Sequence, residues 1–192
     1  MSEELLPLLS FDLDGVLARP PFGRNLTINR NLHLEPAPSG GLARAGSARP
    51  WDSLLAATYY RLRYSLRPAL PLAAEVVAAA TREHRVIVLT ARNARGRRST
   101  ESWLERQGIA SHLHDLVMND SGLAPPQFKR AVVEALGVVR HVEDDAATAA
   151  LLARNGVAVD LIDWPRNRGL SYPAGVTRRA DLQELIDSLA GS

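Results

Sequence analysis

Short apolar runs alternate with helix-like stretches along this chain, and that alternation is what most restricts its fold. The runs cover residues 8–11, 86–89, 115–118 (a weaker one), 138–142 and 157–162. Each is long enough for a strand and too short for a buried helix. Between them lie helical patterns. Residues 71–83 carry Leu72, Val76, Val77 and Ala80 at helical spacing. Residues 99–107 stop at Gly108, 127–136 follow Pro125 and Pro126 and stop at Gly137, and 146–154 end near Gly156. A last pattern covers 179–189. Strands that alternate with helices predict a parallel sheet covered on both faces, a three-layer Rossmann-like α/β core. A chain of 192 residues with 46% apolar content can bury one such core plus a small appendage.

Residues 19–69 break the rhythm. They are rich in Pro, Gly, Asn and Arg up to residue 50, and 51–67 then reads as a helix with Leu55, Tyr59 and Leu62 on one face. An interruption of this length inside a compact domain is read as a cap, helical in part and otherwise irregular, inserted after the first strand. The expected organisation is a core over 1–18 and 70–192 and a cap over 19–69. Phe22, Trp51, Tyr59, Tyr60 and Tyr64 place half of the ten aromatics there. A planar group could stack on them; the favoured reading is that Tyr60 and Tyr64, one helical turn apart, fix the helix to the core. His33 has no assigned role.

Ligands of an open parallel sheet sit beyond the carboxyl ends of its strands. The first strand runs into Asp12, Leu13, Asp14 and Gly15, the second into Thr90, and the fourth into Glu143, Asp144 and Asp145. If those strands are neighbours, the carboxylates converge and repel one another. A divalent cation relieves this, and hard oxygen donors that leave room for water and phosphate select Mg2+. Phosphoryl transfer is then the expected chemistry. Asp12 and Asp14 can divide the work, one attacking phosphorus and the other moving protons, so that hydrolysis passes through an acyl-phosphate.

The basic residues support this. Of 23, only Lys129 is lysine and the rest are arginine. A lysine kept against such a bias suits a position that needs a compact charge on a thin stem. Arg92, Arg95, Arg97 and Arg98 follow Thr90; such a run is usually a solvated loop, and Arg92, nearest the strand end, is the one candidate phosphate contact. Glu143 could orient a metal-bound water or simply end the strand. His84, His112, His114 and His141 show no ligand spacing beyond the His112/His114 pair, which reads as surface.

Composition closes other routes. There is no cysteine, so no disulfide framework or thiolate metal site. A net charge of +2 does not argue for a nucleic-acid binder. No apolar run approaches the ~20 residues of a membrane span. The acidic start, Met1 to Glu4, does not read as a signal peptide, so a cytoplasmic location is expected.

In this order the motifs resemble those of the haloacid dehalogenase-like (HAD) hydrolases. Phe11 to Leu17 matches the first motif and implies Asp12 as nucleophile and metal ligand, with Asp14 as acid/base whose carbonyl also binds metal. Val88-Leu89-Thr90 implies a Thr90 hydroxyl that holds the phosphoryl group. Lys129, near the start of a helix, implies charge neutralisation between nucleophile and phosphate. Val142 to Asp145 implies Asp144 as metal ligand and Asp145 as a second ligand or water-orienting group. An acid at position 14 points to the phosphatase branch. Trp164-Pro165-Arg166-Asn167-Arg168 is similar to a loop of the deoxyribonucleotidase-like branch, which suggests nucleoside monophosphates. The resemblance thus implies a Mg2+-dependent phosphatase acting on a small phosphorylated substrate. A non-catalytic phosphate-binding protein on the same scaffold and a nucleic-acid end phosphatase are the alternatives. The oligomeric state is left open.

Overall fold

A computed structural model describes residues 6–20 and 66–191. Most of the expected cap, with Phe22, His33, Trp51, Tyr59, Tyr60 and Tyr64, lies outside the described residues.

The described chain runs β1 (Leu8–Phe11), α1 (Ala73–Ala80), β2 (Arg85–Asn93), α2 (Arg97–Arg106), β3 (Asp115–Asn119), α3 (Pro125–Leu136), β4 (Val138–Glu143), α4 (Ala146–Arg154), β5 (Ala158–Ile162), β6 (Val176–Arg179) and α5 (Leu182–Ala190). The six strands form one sheet in the order β3-β2-β1-β4-β5-β6, and every neighbouring pair is parallel. The chain leaves β1 toward β2 on one side and returns to β4 on the other. The order therefore reverses at β1, where an open α/β sheet forms its ligand crevice.

Period-two alternation builds the two faces. Leu9, Phe11, Val86 and Val88 pack with Val76 and Val77 of α1, Trp103 and Leu104 of α2 and Leu185 of α5. Leu8, Ile87, Leu89, Val159 and Leu161 pack with Phe128 and Val133 of α3 and Ala149 and Leu152 of α4. Ser10 shares the face of Leu8 and is fully buried, so a hydroxyl faces α3 from inside the apolar layer. It needs a partner there.

Two irregularities re-aim residues toward the crevice. In the β1–β4 ladder Leu8 pairs with Val138 but Leu9 pairs with Arg140, a bulge on β4. It brings His141 opposite Ser10. In the β2–β3 ladder Thr90 pairs with Met118, yet the next pair is Asn93 with Asn119. The strand thus bulges directly after Thr90, at Ala91 and Arg92.

The strand β6 was not expected. Its sequence, Val-Thr-Arg-Arg, has one apolar residue and no alternation, and it sits at the sheet edge beside β5, where its side chains are at most half-buried. β2 is also longer than its apolar stretch, because polar residues after Leu89 keep the extended backbone. The remaining strands and helices lie where the periodicity puts them, within a few residues at the ends.

Candidate active site

Asp12 follows directly on Phe11, which pairs with Val88 on one side and Val142 on the other. Its backbone N–H continues the ladder to the Val142 carbonyl at 2.8 Å. The carboxylate is buried, and Oδ1 lies 2.8 Å from Lys129 Nζ. Burial pushes the Asp12 pKa up to about 7; Lys129 opposes this, and the neighbouring Glu143 and Asp14 add to it. Lys129 comes from α3, whose first turn is set by Pro125 and Pro126 and whose end is capped by left-handed Gly137. Burial disfavours its charge, but Asp12 and Glu143 outweigh burial and hold the ammonium above its ordinary pKa.

Glu143 ends β4 and turns inward. Lys129 Nζ donates to its Oε2 at 2.7 Å, and His141 Nε2 lies 3.1 Å from the same oxygen. Oε1 accepts the backbone N–H groups of Asp144 at 2.9 Å and Asp145 at 3.1 Å. Burial would raise the Glu143 pKa; Lys129 and His141 overcome it and keep the group ionised. His141 Nδ1 lies 2.7 Å from Ser10 Oγ. Burial lowers the His141 pKa, more than Glu143 raises it. A neutral imidazole satisfies both contacts when Nε2–H donates to Glu143 and the Ser10 hydroxyl donates to Nδ1. Ser10, His141, Glu143, Lys129 and Asp12 thus form one buried hydrogen-bonded chain. Of the two roles open to Glu143, ending the strand is the one seen, with its carboxylate anchoring Lys129 and the two following amides.

On the other side of Asp12 the chain makes a tight turn, with Gly15 N–H donating to the Ala18 carbonyl at 2.8 Å and Ala18 N–H to the Leu13 carbonyl at 2.8 Å. Asp14 stands on this turn with its side chain 33% exposed. Arg92 grips it with two nitrogens, Nε to Oδ2 at 2.8 Å and Nη2 to Oδ1 at 2.7 Å. Arg92 Nη1 also donates to Thr100 Oγ1 at 3.3 Å. Arg67 Nη1 pairs with the same Asp14 carboxylate. Burial would raise the Asp14 pKa, but Arg92, then Arg67, hold it below its usual value. Thr90 is buried beside Asp12's strand, and its Oγ1 accepts the Arg92 N–H at 3.3 Å.

Asp144 is buried at the end of β4. Its Oδ2 lies so close to Gly15 that a Cβ there would come within 1.8 Å. Gly15 has φ +94, so the turn and the close approach both require glycine. The loop after β5 closes this side. Trp164 Nε1 donates to the Gly15 carbonyl at 2.8 Å, and Asn167 Nδ2 to the Asp144 carbonyl at 2.9 Å. Arg166 Nη2 donates to both the Asp144 carbonyl and Oδ2, each at 2.7 Å. Burial, with Glu143 nearby, raises the Asp144 pKa despite Arg166. Asp145 instead caps α4, where its Oδ2 accepts the Thr148 N–H at 2.9 Å and hydroxyl at 2.8 Å.

The geometry therefore gathers Asp12, Asp14, Thr90, Lys129, Arg92 and Asp144 around one crevice, with Asp145 at its edge. Oxygens of Asp12, Glu143 and Asp144 lie within 4.8 Å of one another, a group that could hold a metal ion. An all-carboxylate donor set suits a hard divalent cation. Because the Glu143 oxygens already accept four hydrogen bonds, Asp12 and Asp144 are the better direct ligands. Sequence reasoning missed Arg67, which lies 53 residues from Asp14. It also read Arg166 and Asn167 as substrate-side residues and did not connect them to Asp144.

No family model matches the sequence, and no curated protein matches it. Solved structures do match. A HAD hydrolase of Bacillus subtilis bound to magnesium superposes with TM-score 0.64 at 14% identity, covering 97% of this chain and 100% of its own. D,D-heptose 1,7-bisphosphate phosphatase of B. bronchiseptica, complexed with magnesium and phosphate, gives 0.61 at 16% identity, with coverage of 97% and 99%. A HAD-superfamily hydrolase, subfamily IA, of Geobacter sulfurreducens gives 0.56 at 18% identity, with 96% of both chains covered. The chain has the fold of the HAD hydrolases, as its motifs implied.

Proposed function

We propose that this chain is a Mg2+-dependent phosphomonoester hydrolase that works through a phosphorylated Asp12. The observation that carries the reading is the meeting of Asp12, Glu143 and Asp144 oxygens within 4.8 Å at the crevice, with Lys129 bridging two of them. Such a cluster is costly without counter-charge, and perturbed carboxylates in a crevice mark functional sites. When bound, Mg2+ would shield the phosphoryl oxygens and lower the repulsion that Asp12 meets as it attacks. Asp12 and Asp144 would hold it.

In this reading an Asp12 oxygen attacks phosphorus, the ester P–O bond breaks, and the leaving oxygen takes a proton from Asp14. Asp14 then accepts a proton from water, which attacks phosphorus, breaks the acyl-phosphate bond and restores Asp12. Arg92 and Arg67 favour ionised Asp14, the form the second step needs; the first step needs the protonated form, so Asp14 must take up a proton from solvent before the ester bond breaks. Thr90 and Lys129 steady the transferring group, where fixed charge does most of the work. Arg92 reaches a phosphoryl group less readily than expected, since its guanidinium already holds Asp14 and Thr100.

The substrate we favour is a small phosphate ester of the nucleoside monophosphate class. The support is the resemblance of the Trp164 to Arg168 loop to that of the deoxyribonucleotidase-like branch, together with its packing against Gly15 and Asp144 beside the proposed site. Residues 19–69 would form the cap, and the Arg67 contact ties one end of that segment to Asp14.

Phosphate release from p-nitrophenyl phosphate tests the reaction. Turnover should need Mg2+ and fall by at least about 10³-fold in Asp12→Asn, the scale of losing a covalent nucleophile. Turnover in Asp12→Asn equal to the wild type would sink the mechanism. A panel of nucleotides and sugar phosphates then tests the substrate class.

A further inference from the structure

Among the described residues, the carboxylates drawn together at the crevice already have cationic partners before any divalent cation is added. Asp14 is paired with Arg92 and Arg67, Asp12 and Glu143 with Lys129, and Asp144 with Arg166. Among the described residues, four carboxylates thus face four cations. Asp145 accepts the Thr148 N–H and hydroxyl at the N-terminus of α4. Carboxylates gathered for a metal usually leave excess negative charge for it to neutralise; here this chain's own side chains supply the neutralisation.

The four cations are not held alike. Lys129 sits between two buried carboxylates, and Arg92 uses two nitrogens on Asp14. Arg166 comes from the loop after β5 and reaches Asp144 through Nη2 alone. Its Nε is buried without a hydrogen-bond acceptor among the described residues. A guanidinium gains most from a fork of parallel bonds to a carboxylate. Arg166 forgoes that fork, as Arg67 does on Asp14, so its position on Asp144 is more open to adjustment than that of Lys129 or Arg92. It also stands on an oxygen of a residue that would hold the metal.

We propose that Arg166 is a resident counter-cation for Asp144: it balances the acidic cluster, weakens the hold on a divalent cation alone, and makes that hold depend on a phosphate dianion arriving with it. The proposal rests on the metal reading above. A dication adds two positive charges beside side-chain cations already in place, and a phosphoryl dianion offsets those two charges. The two ligands are then coupled, and by linkage each tightens the other by the same factor. Arg166 supplies the positive charge that makes the dication alone unwelcome.

Calorimetric titration of Mg2+ into the wild type, Arg166→Gln and Arg166→Lys, each with and without inorganic phosphate, tests this. Phosphate should tighten Mg2+ binding to the wild type by about tenfold or more, a usual size for coupled sites. Without phosphate, Arg166→Gln should bind Mg2+ at least about fivefold tighter than the wild type, because a nearby like charge is gone. It should also gain less from phosphate, while Arg166→Lys, which keeps the charge, stays near the wild type. Equal, measurable Mg2+ binding in all three proteins overturns the role of Arg166 and leaves the metal reading standing. Weaker binding in Arg166→Gln, or a lysine variant that behaves like the glutamine one, also overturns it. No Mg2+ binding by any of them, with or without phosphate, overturns both. The wild-type comparison with and without phosphate decides the coupling even if a variant fails to fold, and absence of coupling there overturns the proposal.

Discussion

Two arginine–aspartate pairs flank Asp12, Arg92 with Asp14 and Arg166 with Asp144. Arg92 projects from the bulge that follows Thr90 in the middle of the sheet, and its side chain is almost fully buried. It makes a two-nitrogen fork on Asp14 and a third bond to Thr100 of α2. Arg166 projects from a loop, holds Asp144 through one nitrogen and leaves another unsatisfied. The chemistry of the partners is the same and the construction is not. A forked, buried pair on a strand fixes a geometry, whereas a single-nitrogen contact from a loop can yield to a competitor. Rigidity is placed on the proposed acid/base side, and give on the proposed metal side.

The strongest way to break this contrast is Arg92→Met. It keeps the apolar stem and leaves Asp14 with Arg67 as its remaining arginine. Removing one partner of a buried pair costs about 3 kcal/mol, at the low end of the usual range because Asp14 is partly exposed. For a chain of this size the melting temperature should fall by roughly 6–12 °C. A shift of under about 3 °C would mean that Arg67 carries Asp14 by itself, and Arg92 would lose its structural role. Gly15→Ala comes next and attacks the other pair. The new Cβ would have to displace Asp144 Oδ2 from its present 1.8 Å approach, in a backbone conformation with φ +94. A cost of about 2 kcal/mol is expected from the strained backbone and the shifted carboxylate. Mg2+ binding should fall along with stability. If thermal unfolding moves and Mg2+ binding does not, Asp144 is not a ligand.

The core of this arrangement is legible in the sequence because it sits where strands end. Asp12, Thr90 and the 143–145 acids each follow an apolar run, and parallel neighbours bring such ends together. Lys129 is legible for another reason, as a lone lysine among arginines. The Glu143 anchor was within reach as well, since His141 and Glu143 are two apart on a strand and must share a face. The bulge that sets His141 opposite Ser10 was not, because it depends on how two ladders fit. Arg67 carries no local signal, and the loop motif that contains Arg166 does not say which acid it meets. The two arginines meet Asp14 and Asp144 across 53 and 22 residues of chain, and only the fold decides those distances. β6 stayed hidden because an edge strand with three polar residues of four has no apolar period to read.

The buried chain below Asp12 gives a pH signature independent of either arginine pair. His141 is fully buried and its pKa is depressed by burial. In the unfolded chain it titrates near 6.5. Between that value and the lower folded pKa, the unfolded state binds a proton that the folded state refuses. His141 therefore takes stability away as pH falls below about 6.5, with a slope of up to about 1.4 kcal/mol per pH unit for one proton, while Asp12 and Asp144, whose pKa values are raised, add stability over the same fall. His141→Asn should flatten that slope in urea unfolding measured between pH 7 and pH 5. An unchanged slope would mean that the folded state accepts the His141 proton as readily as the unfolded one.

The smallest effect is the most direct test of the contrast. With the metal removed by EDTA, Arg166→Gln should change stability by less than about 1 kcal/mol, because Asp144, whose pKa burial already raises, can shed its charge by taking up a proton, which Asp14 resists. Arg92→Met in the same buffer should cost about three times as much. With saturating Mg2+ the order of response reverses. A fivefold tighter site adds about 1 kcal/mol of ligand stabilisation through mass action, so Arg166→Gln should gain more melting temperature from Mg2+ than the wild type, by roughly 2–4 °C. Arg92→Met, which leaves Asp144 and Arg166 untouched, should gain the same as the wild type. If both variants respond alike to the metal, the two pairs differ in geometry only, and the looser grip of Arg166 has no bearing on what the crevice binds.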